Sequence, residues 1–525
     1  MQLYSLQFVA FLLVAFACYY LVGRYVRRGQ WVVLLVASLG FYLASGWQNL
    51  FFILLTSLST WGVGLAFDAL NRRCDEARKA ASDRSQRKAI KQQFKHRKWL
   101  VLLAVMLLNF GVLGYIKYWN TILAGFGAGD SFLASHLLLP LGISFYTFQS
   151  IGYCIESYND KYPPQKNYAK YLLFVSFFPQ LIQGPINRYD ALATQLYEHH
   201  SLDTHEARKA LLLIGYGMFK KFAIADVLVN TVSHMLDFVD AGTPGCVVFA
   251  GILLYTIQQY GDFSGGIDMV RGVSQLFGIE MAENFRQPYF STSMADFWRR
   301  WHMSLGAWMR DFVFYPFAVC KPMLKLNKWG TEHLGKTFGR TLSACIGNIL
   351  VFLLVGLWHG ADLHFVLWGL YNGVIIAAAD VARPLFAWLI EKFKVNVESA
   401  GWHVWRIVRT FALINVGRVF DRLYEPQALA DGWHNLIFNF NPGGFMPYMN
   451  LHPTFALSLC LAFAACGCIF VFIVSVNKER GVDVSERILA APLVLRILLY
   501  AFVLCMVFFS FSIAVHAGGF LYANF

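Results

Sequence analysis

Long apolar runs separated by short polar stretches extend along almost the whole chain. A helix needs about 20 consecutive apolar residues to cross the hydrocarbon core of a bilayer. Residues 3–23 form one such run, and residues 30–67 are long enough for two, with a break near residue 46. Further runs follow at residues 99–116, 131–155, 171–187, 209–236, 241–261, 341–361, 363–379, 404–420, 454–476 and 497–515. The pattern predicts an all-α polytopic transmembrane helical bundle with about 11–13 passes, some of them short or re-entrant.

Composition indicates a membrane protein rather than a water-soluble one. Of the 525 residues, 57% are hydrophobic and 14% are charged, whereas about 25% of a typical soluble protein is charged. The first run has no basic residue before it and no small-x-small cleavage site after it. It therefore predicts a retained helix rather than a signal peptide.

Positive charge is concentrated between the apolar runs and predicts how the chain is oriented. The net charge is +13, and residues 68–98 alone hold eleven Lys or Arg and four Asp or Glu. The positive-inside rule explains such loops without a nucleic-acid partner. It places residues 68–98 and 477–491 in the cytoplasm, which predicts that both Met1 and Phe525 lie outside.

Cysteine and histidine positions do not indicate a metal site. The ten cysteines lie mostly within apolar runs, and the sequence has no CxxC pair or His/Cys ligand set. A polar loop at residues 188–208 contains His199, His200 and His205. A solvated turn explains this loop better than a metal centre does, so we predict no metal.

The segment FWRRWH, residues 297–302, sets two arginines and a histidine among aromatic residues. Taken as one helix over residues 294–312, it has two different faces. One is an apolar stripe of Phe297, Trp301, Leu305, Trp308 and Phe312, and the other carries Arg299, His302, Gly306 and Arg310. An interfacial helix explains the tryptophans and arginines. It does not explain a histidine beside a glycine, which favours a functional role for His302.

Polar and glycine-rich segments interrupt the apolar sequence in the middle of the chain. Residues 258–269 place Asp262 and Asp268 beside glycines, and residues 283–289 break the chain before the FWRRWH segment. Pro140 and Gly142 interrupt another run. At membrane depth, protein or a water-filled cavity must satisfy the backbone groups that such interruptions free. They therefore predict a cavity that reaches into the membrane.

His359 lies in the segment GLWHG, residues 356–360, at the end of an almost uncharged run. An ionisable residue inside a membrane is costly and usually marks a functional site. A neutral imidazole is a good general base for a hydroxyl group, and a hydrogen-bonded structural histidine is the alternative. His364 and His516 are the rival candidates, but glycines do not flank either of them on both sides.

Five segments, in order along the chain, resemble the membrane-bound O-acyltransferase family, most of all its bacterial branch of alginate O-acetylases and teichoic acid D-alanyl transferases. They are LPLGISFYTFQSIGY from residue 139, FFPQLIQGPINR from 177, QYGDFSGGIDM from 259, ENFRQPYFSTSMADFWRRWHMSLGAWMRDF from 283 and GLWHGADLHFVLWGLYNG from 356. The resemblance covers residues 139–373. Gly266 departs from it, because the family usually has tyrosine there, and RDFVFYPFAVCKP is nearer the D-alanyl branch.

The resemblance implies a single acyltransferase domain over residues 1–525 with a tunnel between its helices. In that tunnel a cytoplasmic thioester donor, an acyl-CoA or an acyl-carrier protein, would meet an extracellular acceptor. The implied reaction moves an acetyl or D-alanyl group to a hydroxyl of a cell-envelope polymer, directly or through an extracellular or periplasmic partner acyltransferase. The implied location is the inner membrane of a bacterium, with membrane lipid around the protein and no permanently bound cofactor.

The resemblance also assigns residues. His359 is implied as the principal catalytic residue and His302 as the second. In an acyltransferase reaction, His359 would remove the hydroxyl proton, and His302 or nearby donors would steady the oxyanion. Asp262 and Asn284 match polar positions of the family without an assigned role. The C-terminal sequence GGFLYANF resembles an aromatic ending of this branch, in which Tyr522 would relay the acyl group. An aromatic belt at the end of the last helix is the alternative.

The two arginines of FWRRWH permit two interpretations. Arg299 and Arg300 could hold the phosphates of coenzyme A or of a carrier-protein arm, or they could be interfacial anchors.

Two other classes of function stay open from the sequence. A transporter or flippase of an envelope precursor would also have broken helices at membrane depth. Such proteins usually have paired halves, but the pattern of residues 258–310 occurs once. A scaffold that only recruits an envelope enzyme would not need two buried histidines. Acyl release or transfer by the purified protein distinguishes the enzyme from both.

Overall fold

The structure, a computed structural model, describes residues 3–125, 140–451 and 457–513. It is 81% helical. Within the described ranges there is no strand, only an isolated antiparallel bridge between Phe285 and Trp301. The prediction of an all-α polytopic membrane protein is confirmed.

The α-helices of these ranges are named here in chain order. They are α1 (Leu6–Tyr25), α2 (Gln30–Leu43), α3 (Asn49–Ala80), α4 (Arg84–Gly125), α5 (Ile143–Tyr158), α6 (Tyr168–Ser176), α7 (Phe178–Gln183), α8 (Tyr189–Tyr197), α9 (Thr204–Met218), α10 (Val227–Leu236), α11 (Gly245–Gln275), α12 (Met294–Arg300), α13 (Met303–Met309), α14 (Tyr315–Ala318), α15 (Lys321–His333), α16 (Gly335–His359), α17 (Leu363–Val381), α18 (Arg383–Lys392), α19 (Ala400–Arg422), α20 (Pro426–Phe438), α21 (Phe445–Leu451), α22 (Leu457–Glu479), α23 (Val484–Leu489) and α24 (Leu493–Ile513). Phe219–Asp226 and Arg310–Phe314 are π-helical, and Pro288–Phe290 and Pro442–Gly444 are short 3₁₀ turns.

Within the described part of the chain, seven helices are long and apolar enough to span a membrane. They are α1, α3, the Arg84–Trp119 part of α4, α16, α17, α22 and α24. Other predicted passes are divided into shorter pieces. Residues 171–187 become α6 and α7, and a π-helical segment interrupts residues 209–236. The chain is a multi-pass membrane protein. The 11–13 passes predicted from the sequence include apolar runs that are divided into shorter helices in the structure.

The predicted interruption at Pro140 and Gly142 is confirmed. Gly142 has φ +70°, and α5 begins at the next residue, Ile143. A side chain on Gly142 would bring its Cβ within 2.8 Å of the carbonyl oxygen of Leu181. Both the left-handed backbone and this close approach require glycine.

The helices form two compact units. The first consists of Met1–Leu211 with Val270–Ala282, and the second of Leu212–Met269 with Glu283–Phe525. Both FWRRWH and GLWHG belong to the second unit. A single acyltransferase domain over residues 1–525 stays a prediction.

In the first unit, hydrogen bonds hold the histidine-containing loop at residues 188–208. Gln30 is fully buried, and its Oε1 accepts from the backbone N–H of His200 at 2.9 Å and lies 2.9 Å from Nδ1 of His199. Its Nε2 donates to the carbonyl of His200, and Nε2 of that residue lies 2.7 Å from the carbonyl of Gln195. These contacts account for His199 and His200 as anchors of the loop.

The prediction of one continuous helix over residues 294–312 is wrong. The chain forms α12, then leaves the helical conformation at Trp301 and His302, and resumes as α13 before the π-helical segment Arg310–Phe314. Trp301 has φ −107° and ψ 128°, and His302 is left-handed with φ +48°. The apolar stripe is still largely buried, because Phe297, Trp301, Leu305 and Trp308 all lie in the core.

Candidate active site

His302 lies in a turn that a distant segment holds in place. The antiparallel bridge between Phe285 and Trp301 sets residues 284–286 beside residues 300–303. The N–H of Arg286 donates to the carbonyl of Arg300 at 3.0 Å, and the N–H of Met303 donates to the carbonyl of Asn284 at 3.0 Å. These bonds satisfy the backbone where the helix stops and impose the left-handed conformation of His302.

One side-chain oxygen, Oδ1 of Asn284, accepts three contacts at this turn. The backbone N–H of Ser304 donates to it at 2.9 Å, the Ser304 hydroxyl donates at 2.8 Å, and Nδ1 of His302 lies 3.3 Å away. Asn284 therefore caps the start of α13 in the way that an N-cap residue does, but from another part of the chain.

The same contacts assign the tautomer of His302. A backbone N–H can only donate, so the Asn284 atom that faces Ser304 must be the carbonyl oxygen. Nδ1 of His302 then carries the hydrogen, and Nε2 carries the lone pair. Burial lowers the pKa of His302 from 6.5 to about 3, so the imidazole is neutral at ordinary pH. The ring is 4% exposed and packs edge-on against Phe263, with centroids 5.0 Å apart.

His359 is the last residue of α16, and its half-buried ring lies among aromatic side chains. The ring centroids of Trp358, Trp368 and Phe365 are 4.7, 5.4 and 5.9 Å away. The imidazole is therefore oriented by packing at a helix end, where the chain leaves the helix at Gly360.

The glycines beside His359 serve helix packing. A Cβ on Gly356 would lie 2.4 Å from the carbonyl oxygen of Phe365, and one on Gly360 would lie 2.4 Å from the ring of the same residue. On α17, a Cβ on Gly369 would lie 2.5 Å from the carbonyl oxygen of Phe352. The glycines let α16 and α17 approach closely, which fixes where α16 ends and where His359 projects.

Two tryptophans connect the FWRRWH and GLWHG segments. The indole of Trp358 lies 6.1 Å from the ring of His302 and 4.7 Å from the ring of His359. Trp298 of α12 packs against Trp368 at 5.5 Å, and its Nε1–H donates to Asn372 of α17 at 3.1 Å. The structure thus brings both predicted histidines against one indole.

A small apolar cavity lies in the same unit. It has a volume of about 170 Å³ and is bordered by α11, the 287–290 turn and α22. Tyr260 and Tyr289 line it, and Tyr260 also lies 6.2 Å from the ring of Trp301.

Known proteins match the sequence over most of its length. Residues 165–405 match the family model MBOAT, the membrane-bound O-acyltransferase family. A probable alginate O-acetylase AlgI of Pseudomonas syringae pv. tomato is 32% identical, over 82% of this chain and 73% of that protein. The chain belongs to the membrane-bound O-acyltransferase family. It is therefore an O-acyltransferase.

Other members of the family have different named substrates. A peptidoglycan O-acetyltransferase of Helicobacter pylori is 33% identical over 62% of each chain. A teichoic acid D-alanyltransferase of Bacillus subtilis is 32% identical, over 54% of this chain and 68% of that protein. The region matched by the family model encloses both histidines of this acyltransferase.

The structure places the other predicted site residues less centrally. Arg300 donates to both carboxylate oxygens of Glu479 on α22, at 2.8 and 3.0 Å, and lies 3.4 Å from Asp296. Arg299 reaches only Asp296, at 3.4 Å, and its side chain is 67% exposed. Of the two, Arg299 is the one whose guanidinium is open to a ligand. Tyr522 and the rival His516 lie outside the described residues.

A buried charge cluster behind the His302 turn was missed by the sequence reasoning. Lys221, in the π-helical segment Phe219–Asp226, lies 2.6 Å from Asp262 and 2.8 Å from Asp226, and all three are buried. Its neighbour Lys220 lies 2.8 Å from Asp268. The π-helix presents both consecutive lysines to α11, which supplies Asp262 and Asp268. Two adjacent lysines inside the apolar run 209–236 were the available signal, since buried lysines need partners.

Arg418 of α19 is another buried cation that the sequence did not suggest. Its Nη1 donates to Asp421 at 2.9 Å, and its guanidinium lies over the ring of Trp301 at 4.9 Å. Asp421 also accepts from Gln259 and Tyr255 of α11, at 3.0 and 3.3 Å. This network holds Trp301, and with it the turn at His302, against two other helices.

Proposed function

We propose that this acyltransferase moves a small acyl group from a thioester donor to a hydroxyl of a cell-envelope polymer. The names of its relatives give alginate, peptidoglycan and teichoic acid as acceptors, and acetyl or D-alanyl as the group. The match to the alginate O-acetylase extends over 82% of this chain, against 54% for the D-alanyltransferase. Acetyl is therefore the group that we favour.

The reaction forms one ester bond and breaks one thioester bond. The hydroxyl oxygen attacks the carbonyl carbon, the C–S bond breaks, and the thiol leaves with the proton that the hydroxyl lost. His359 takes that proton and returns it to the sulfur. It lies at the C-terminal end of α16, where the helix carbonyls stabilise the positive charge that the imidazole carries in between.

His302 has a different part in this scheme. With hydrogen on Nδ1 and the lone pair on Nε2, its neutral ring accepts a hydrogen bond from a hydroxyl and does not donate one to an oxyanion from Nε2. The low pKa also opposes protonation. We assign it to orienting the hydroxyl, in place of the oxyanion role suggested by the sequence.

The observation that carries the proposal is the placement of both histidines against the indole of Trp358. One histidine is buried and neutral, and the other lies half-buried at a helix end, so a hydrogen-bond acceptor and a base both lie against one indole. A histidine pair of this kind suits transfer to a hydroxyl.

The test is acyl transfer by purified protein in lipid nanodiscs with an acetyl thioester of coenzyme A or of a carrier protein. His359→Ala should lower the rate of thiol release and of ester formation by about 10²- to 10⁴-fold, the usual contribution of a general base. His333→Ala, at an exposed histidine of α15, is the matched control and should leave both rates unchanged. Turnover in His359→Ala close to wild type would remove the assigned role.

The donor side, the topology and the relay are parts of the same proposal. The donor binds on the cytoplasmic face with Arg299 as a phosphate contact, and both termini lie outside. Tyr522 accepts the acyl group and passes it to the polymer or to a partner acyltransferase. Cysteine labelling from each side of the membrane tests the topology. Tyr522→Phe should stop polymer acylation and leave donor binding intact, whereas full acylation would favour an aromatic belt.

A further inference from the structure

A polar cleft lies in the first unit, between α3, α4 and the turn after α5. It has a volume of about 510 Å³. Helix α3 contributes positions 71, 74, 75 and 78, and α4 contributes positions 91, 94, 95 and 98. Spacings of three and four place each set on one helix face, so two polar stripes face each other across the cleft.

At the floor of the cleft, a buried lysine is neutralised by an exposed carboxylate. Lys98 is 6% exposed, and its Nζ donates to Asp160 at 2.8 Å and to Asn71 at 3.2 Å. It also lies over the rings of Phe67 and Tyr158, at 5.4 and 5.5 Å. These contacts fix Lys98 in place and balance its charge with Asp160.

The walls of the cleft carry positive charge that the protein does not balance. Lys91 and Lys95 are exposed, and neither has a carboxylate within ion-pair distance among the described residues. Arg78 reaches Asp75 only at 3.5 Å, and within the same ranges its buried Nε has no hydrogen-bond partner. Lys91, Lys95 and Arg78 thus have one ion-pair partner, Asp75, among them. Together they form a concave site for an anion.

We propose that this cleft binds a phosphate group. A phosphate offers several acceptor oxygens and a negative charge to Lys91, Lys95 and Arg78, and a guanidinium pairs with it particularly well. The ordered floor at Lys98 distinguishes the cleft from a loop whose charges serve only the positive-inside rule.

The depth of the cleft indicates two possible sources of the phosphate. On α4, the apolar part begins at Trp99, directly after Lys98. Lys91 lies seven residues farther from it, roughly 10 Å along the helix. Headgroups extend about 5–8 Å beyond the hydrocarbon core on each side. The floor thus lies at headgroup depth and the open end lies in water, so an acidic phospholipid or a soluble phosphate ester can reach it.

The experiment measures binding and does not depend on the proposed acyl transfer. Native mass spectrometry of the purified full-length protein follows titration with phosphatidylglycerol, and separately with coenzyme A and with inorganic phosphate. Lys91→Gln/Lys95→Gln removes the two unbalanced lysines. Because both side chains are exposed, the double substitution should leave folding intact. Arg73→Gln/Lys79→Gln removes the same charge from exposed positions of α3 outside the cleft.

We expect one saturable ligand that the cleft variant binds about 10- to 30-fold more weakly, since each lysine near a membrane surface contributes about a factor of five. The control variant should stay within about twofold of wild type. Saturable binding of phosphatidylglycerol alone identifies a lipid headgroup, and binding of coenzyme A or inorganic phosphate without phosphatidylglycerol identifies a soluble phosphate. Equal losses in both variants, or no saturable binding of any probe, would overturn the proposal.

Discussion

His302 and His359 are the same residue type in the same unit, but the chain positions them by opposite means. His359 ends a 25-residue helix, and neighbouring aromatic rings orient it. His302 lies in a left-handed turn that exists because Asn284, 18 residues earlier, accepts its hydrogen bond and caps the next helix. One site residue therefore follows from a regular element, and the other from contacts between segments that are distant along the chain.

The difference has a chemical consequence. The contacts that create the turn also bury His302 and settle which nitrogen holds its hydrogen. His359 keeps partial access to its surroundings at the end of α16. In the proposed reaction, the fold therefore uses one side-chain type both as a buried neutral acceptor and as an accessible base.

Replacing each histidine by alanine tests this comparison most strongly. Both variants should lose acyl transfer by about 10²-fold or more. Only His302→Ala should also lower the free energy of unfolding, by about 2–4 kcal/mol, because it removes a buried ring and a buried hydrogen bond. Thermal unfolding in detergent, followed by tryptophan fluorescence, measures this. Equal losses of stability in the two variants would contradict the contrast between them.

A substitution in the charge cluster behind the His302 turn should lower stability at least as strongly as His302→Ala does. Lys221→Met leaves Asp226 and Asp262 buried without their cation, which should cost about 3–5 kcal/mol of stability. Phe263, which follows Asp262, packs on His302, so activity should fall as well. Lys328→Met, on the exposed face of α15, is the control.

A compensating variant separates charge from packing at this cluster. Lys221→Met/Asp226→Asn/Asp262→Asn removes the cation together with both carboxylates and should recover part of the lost stability. If this triple variant is no more stable than Lys221→Met, the loss comes from packing and not from unpaired charge.

Glycine substitutions compare the two segments by sterics alone. Gly356→Ala places a Cβ 2.4 Å from the carbonyl oxygen of Phe365 and should cost about 1–3 kcal/mol, with displacement of His359 and lower activity. Gly306, near His302, has only the Trp298 carbonyl, at 3.4 Å, and is exposed. Gly306→Ala should be neutral or stabilise the protein by about 0.5–1 kcal/mol. A lower melting temperature for Gly306→Ala than for Gly356→Ala would contradict the assignment of the tight contact to the GLWHG segment.

The pH dependence of stability also distinguishes His302 from His359. Burial holds its pKa at about 3 in the folded protein, against 6.5 ordinarily. Between these values the unfolded chain binds a proton that the folded chain does not, so this contribution to stability is present above pH 6.5 and decreases as pH falls. His302→Asn tolerates the left-handed turn and cannot titrate. It should lose less stability than wild type between pH 7 and about pH 4.5. An equal loss of stability in His302→Asn and in wild type over this pH range would contradict the buried neutral state of His302.

Much of the fold could be predicted because a helix that spans a membrane must be long and apolar. Apolar length alone predicted helices such as α1, α16 and α22, since the backbone of a spanning segment must satisfy its own hydrogen bonds. Sequence pattern showed the interruption at Pro140 and Gly142, but it did not show every place where a run breaks. The π-helical segment Phe219–Asp226 and the divided run at residues 171–187 depend on partners from other helices.

The site divides in the same way. The sequence by itself indicated His302 and His359 as the candidate site histidines, because ionisable groups in an apolar setting are rare and costly. Only the tertiary structure decided that FWRRWH ends in a turn between two short helices, and that Lys221 and Arg418 lie behind this turn. Helical periodicity is a local property, whereas a left-handed residue, a cap from Asn284 and a buried ion pair each need a second segment at a particular distance. That distance is set when the chain folds, and no single stretch of the sequence contains it.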